Sequence, residues 1–68
     1  MAIQLNKPAS QIYSEKRLRA LLQQADENAT KDWDRNFVND MADRFKTYGM
    51  GMYISTLQRH HLERIAND

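Results

Sequence analysis

Between Lys31 and Tyr48 the large apolar side chains Trp33, Phe37, Met41 and Phe45 recur every four residues. Residues four apart share one face of an α-helix, whereas a strand would need apolar side chains at alternate positions. Val38, Ala42 and Tyr48 widen the stripe. Asp32 and Asp34 fall in the first turn and Lys46 in the last, where the helix dipole favours each sign. Asp40 and Arg44 have the spacing of an ion pair along one face. Thr30 is a natural N-cap, and Gly49 stands where a left-handed residue ends a helix. The pattern predicts a helix over about residues 31–48.

Two further helices are legible on either side. Leu18, Leu21, Leu22 and Ala25 form one apolar stripe, so Ser10 or Ser14 caps a helix over about residues 14–27. Glu15 and Arg19 pair on its outer face. Ser55 with Gln58 three residues later has the capping-box spacing, opening a third helix over about residues 56–66. Leu57, His61, Leu62 and Ile65 give it an inward stripe, and Arg59, His60, Glu63 and Arg64 face outward. Ahead of these lies a leader, residues 1–13, in which Ile3 and Leu5 alternate with polar neighbours up to Lys7-Pro8. Because Pro8 disfavours helix at Lys7, the leader reads as an extended arm or a short strand, the latter beside Met52-Tyr53-Ile54. The expected fold is all-α: one domain, a small three-helix bundle around Trp33, Phe37, Phe45, Leu18, Leu21, Leu22, Leu57, Leu62 and Ile65. Trp33 is assigned to the core, with a half-exposed anchor as the alternative.

A chain of 68 residues without cysteine has neither disulfide nor thiolate zinc to supplement a thin core. A dimer sharing the aromatic stripe across a twofold axis is one remedy. The apolar runs are too short for a membrane span or a secretory leader, and the expected location is the cytoplasm. A net charge of +1 is not that of a nonspecific nucleic-acid coater.

The residues offer little for catalysis. His60 and His61 are adjacent, hence about 100° apart on a helix, and cannot easily share a metal ion. Ser10, Ser14 and Ser55 read as caps or loop residues rather than nucleophiles. Gly49-Met50-Gly51 follows a helix and lacks the rest of either phosphate-binding fingerprint. No enzyme activity, cofactor or metal is expected.

Binding remains. Met50, Met52, Tyr53 and Ile54 make an apolar cluster at a glycine-flanked turn, with the flexible and amphipathic side chains suited to contact surfaces. Closure of the bundle's end is the structural alternative for Tyr53 and Ile54. With Arg59, His60 and Arg64 just beyond, the expected partner surface is Met50, Met52, Tyr53, Arg59, His60 and Arg64. The rival is a helix-turn-helix DNA reader using Lys16, Arg17, Arg19, Arg59 and Arg64. Against it stand a long intervening turn and Glu63 in the reading face.

The runs Trp33-Asp34-Arg35-Asn36-Phe37-Val38-Asn39-Asp40-Met41 and Ile54-Ser55-Thr56-Leu57-Gln58-Arg59-His60-His61-Leu62-Glu63-Arg64-Ile65 resemble a pattern in small phage and prophage proteins. There, a Trp/Phe helix precedes a Leu-Ser-x-x-Gln-x-x-x-Leu-x-x-Ile ending; Ile54 stands in place of the leucine. The resemblance implies the helical fold and a mobile-element origin. By analogy with small phage proteins, anti-CRISPR proteins among them, it implies inhibition or redirection of a host protein or nucleoprotein complex in the host cytoplasm.

Overall fold

The computed structural model describes residues 6–68. Strand β1 (Asn6–Pro8) leads into a single helical turn, α1 (Ala9–Ile12), and then α2 (Glu15–Asn28) and α3 (Asp32–Tyr48). A 3-10 turn at Gly49–Gly51 precedes strand β2 (Tyr53–Ser55) and helix α4 (Thr56–Ala66). The expected helices are present, and the extended leader does pair beside the segment after the glycines. β1 and β2 are antiparallel, with Lys7 opposite Ile54 and Pro8 opposite Tyr53. Ile3 and Leu5, the alternating residues of the leader, lie outside the described residues.

Helix α1 is an addition to the expected set. Pro8 has the extended conformation of a cap residue, and the Ala9 N–H donates to the Met52 carbonyl at 2.8 Å. This hydrogen bond and the buried Ala9 and Tyr13 fasten the end of the leader to the core. Ser14, not Ser10, caps α2, its Oγ accepting from the Arg17 N–H at 3.1 Å. Ser55 and Gln58 make the full reciprocal capping box on α4, at 3.0 and 3.1 Å. The expected cap on α3 is absent: Lys31 occupies the N-cap position without a side-chain bond, and Thr30 lies one residue too early.

Helix α2 packs against both α3 and α4. Leu18, Leu21, Leu22 and Ala25 meet Val38 and Met41 from α3 and Leu62, Ile65 and Ala66 from α4 in one cluster, which Met52, Ile54, Ala9 and Tyr13 close at the sheet end. The phase of α3 differs from the expected one. Its inward line runs through Asp34, Val38 and Met41, so Trp33, turned about 100° from Asp34, is 56% exposed. Phe37 flanks the line and Phe45 continues it beyond Met41, under the Arg19 guanidinium; both are only partly buried. Leu57 is likewise outside the core, 48% exposed, because five residues of helix separate it from Leu62 by about 140° around the axis.

Candidate binding surface

The edge where α3 approaches α4 carries an aromatic and charged cluster. Trp33 stacks on Phe37 with ring centres 5.4 Å apart and planes within 5°. Four-residue spacing on one helix sets the two rings side by side. His61 meets both edge-on, 4.8 Å from Trp33 and 5.9 Å from Phe37. Beneath this stack Arg64 donates to the Asp34 carboxylate at 3.0 Å, and its Nη2 lies 3.4 Å from His61 Nδ1. His61 is partly buried, and His60 is exposed beside it.

The expected methionine-tyrosine tip divides. Strand alternation through Met52, Tyr53 and Ile54 turns Met52 and Ile54 inward, at 2% and 0% exposure, and leaves Tyr53 60% exposed. Met52 is therefore a core residue, with almost none of its side chain exposed for the contact expected of it. Met50 is partly buried against the same cluster. Tyr48, which the periodicity placed on the buried stripe, is 68% exposed and shares with Tyr53, Arg44, Gly51 and Met52 an open recess of about 570 Å³.

The cations are less free than the sequence implied. Arg59 pairs with Glu63 at 3.3 Å and lies over the Tyr13 ring, 5.7 Å from its centre. Arg64 is tied to Asp34, and Arg19 pairs with Glu15 at 3.1 Å while covering Phe45 at 5.1 Å. Lys16 and Arg17 are exposed on α2. Between α3 and α4 run the 3-10 turn and β2, the latter held by pairing to β1.

Ser14 and Ser55 are engaged as caps, and among the described residues no three metal-ligating side chains converge. Nor is any described helix long and apolar enough to cross a membrane. What the surface offers is contact: Leu57, His60 and the half-exposed Arg64 within about 60° of arc on α4, and the aromatic edge of α3 beside it. The exposure of Tyr48 and Leu57 had no signal in periodicity, which placed both inward. No protein-family model, curated protein or solved structure matches the chain.

Proposed function

We propose that the protein is a non-catalytic binding module of phage or mobile-element type that engages, and inhibits, a host protein or nucleoprotein complex. The observation that carries this reading is the exposure of Trp33, Tyr48, Tyr53 and Leu57 on regular elements of a very small domain. Burying a large apolar side chain is worth about 1.5–3 kcal/mol, and so small a chain has few other sources of stability. Leaving its only tryptophan outside is a cost that contact with a partner offsets. The outward side of α4, with Leu57, His60 and the exposed part of Arg64, is the surface assigned to the host partner.

Because Met52 is core, the informative substitutions are Leu57→Ser and His60→Ala, both at exposed positions of α4. Immobilised protein should retain a discrete bacterial partner from lysate, and the folded double variant should lose it. Equal capture by the variant removes the α4 assignment. The DNA alternative requires a salt-sensitive mobility shift that Arg17→Ala and Lys16→Ala reduce; a shift of that kind would replace the protein-binding reading.

A further inference from the structure

We propose that two copies of the chain pair through α3, antiparallel about a twofold axis, with each Trp33 seated in the other copy's recess between Tyr48 and Tyr53. At about 100° per residue, Trp33, Phe37, Asp40, Arg44 and Tyr48 fall within an arc of about 80° on one side of the helix. Most of that arc is exposed: Trp33 and Tyr48 are among the exposed large apolar residues, and the Asp40 and Arg44 side chains are 59% and 44% exposed, while Phe37 is partly buried and His61 lies against the Trp33–Phe37 end.

The arc is self-complementary. Its ends are aromatic and its middle holds one acid and one base. A twofold axis through the midpoint of Asp40 and Arg44, at position 42, sets each Asp40 opposite the other copy's Arg44. The present ion pair within the helix, at 3.2 Å, becomes a square of four alternating charges. Trp33 lies nine residues before that midpoint, about 13 Å along the axis. Six residues after it Tyr48 ends the helix, about 9 Å along the axis, at the recess that Arg44, Gly51, Met52 and Tyr53 complete. With the charges paired, the exposed indole of one copy reaches past the Tyr48 end of the other copy's helix, where the recess opens.

Each aromatic ring presents about 150–250 Å², and Trp33, Tyr48 and Tyr53 from both copies supply roughly 700 Å² of contact from their exposed portions alone. That is more than half of the about 1,200 Å² at which stable interfaces begin, before Phe37 or any aliphatic carbon is counted. The outward sides of both α4 helices stay free, so the pairing is compatible with a host partner and would present its surface twice.

The test is solution mass by light scattering after size exclusion, with helicity followed in parallel by circular dichroism. The 8.0 kDa chain should elute at twice its mass, and Trp33→Ala at the monomer mass with unchanged helicity. Trp33 is the only tryptophan, so dilution of the wild type should shift its emission to the red as the indole returns to water. Asp40→Arg and Arg44→Asp, made separately, each set like charges opposite one another and should weaken self-association about tenfold or more. Mixing those two variants in equal amounts sets opposite charges across the axis again and should restore the dimer. That last result depends on register and would not follow from a role within one helix. A monomeric wild type, or single variants that dimerise as well as it does, overturns the proposal.

Discussion

Asp34 and Arg64, thirty positions apart, form the polar tie between α3 and α4, with Arg64 Nη2 3.0 Å from Asp34 Oδ1. The two ends of this pair are not equivalent. The Asp34 side chain is only 11% exposed, while that of Arg64 is 41% exposed. Removing the arginine strands a carboxylate in a poorly solvated place; removing the aspartate lets the guanidinium turn to water. Arg64→Ala should therefore cost about 1–2 kcal/mol and Asp34→Ala less than about 1 kcal/mol. A double-mutant cycle by urea denaturation measures both, and equal costs would refute the asymmetry. The pair accompanies the phase of α3 in which Asp34, Val38 and Met41 turn inward and Trp33 outward.

Tyr13 carries a second buried polar group, this one without a partner: its hydroxyl makes no hydrogen bond, and Arg59 lies over the ring face instead. Burial, reinforced by the Glu63 charge, raises the phenol above its ordinary value of 10.0, against the opposing effect of Arg59 and Arg17. The folded chain thus favours the protonated form. Its contribution to stability is complete below pH 10.0 and is lost as pH rises through the higher folded value. Tyr13→Phe should leave stability at neutral pH unchanged or raise it by up to about 1 kcal/mol, since it deletes an unsatisfied hydroxyl. It should also lessen the alkaline loss. Denaturation curves of both proteins from neutral to strongly alkaline pH test this; a parallel decline in the two would refute it.

Local signals in the chain proved readable where neighbouring residues alone settle the outcome. The Ser55–Gln58 box, the Glu15–Arg19 and Asp40–Arg44 pairs, the Ser14 cap and the stop at Gly49 each involve partners within four residues, whose geometry follows from the helix itself. The pairing of the leader beside the Met52 segment was one of the two readings, strand or extended arm, that Pro8 left open. The helix phase was not. Trp33, Phe37, Met41 and Phe45 look like a core line on hydrophobicity alone, and only the distant Arg64 reveals that Asp34 lies nearer its centre. Met52 and Tyr53 show the same limit for the binding surface. Their composition suggested a common apolar tip, whereas the register with β1 sends them to opposite sides.

The two glycines separate conformational need from space. Gly49 has φ +58° and ψ −139°, a region that side chains with a Cβ avoid, while Gly51 has no positive φ. A Cβ at either position would meet nothing within 4 Å. Gly49→Ala should therefore destabilise by about 1–2 kcal/mol through backbone strain alone. Gly51→Ala should be neutral or stabilise by up to about 1 kcal/mol, by restricting the unfolded chain. Thermal melts of the two variants compare them directly. Equal losses would show that something other than φ governs the turn.

Asn28, the last residue of α2, finishes α4 rather than its own helix. Its Nδ2 donates to the Ile65 carbonyl at 3.1 Å and to the Ala66 carbonyl at 2.9 Å, in the last turn of α4, where the Ile65 carbonyl also accepts from the Asp68 N–H at 3.3 Å. The bond joins elements 37 and 38 positions apart, so it also fixes how α2 and α4 align. Asn28→Ala should cost about 1–2 kcal/mol. Asn28→Asp, nearly the same shape, should cost more. An ionised carboxylate cannot donate, and it would set a negative charge against carbonyl oxygens at the negative end of the α4 dipole. Protonation would return a donor to that side chain, so the aspartate variant should recover part of its loss in acid relative to the alanine variant. Urea midpoints of both at neutral and acidic pH check the order. An aspartate variant as stable as the wild type at neutral pH would mean that the amide's donation is not what holds the end of α4.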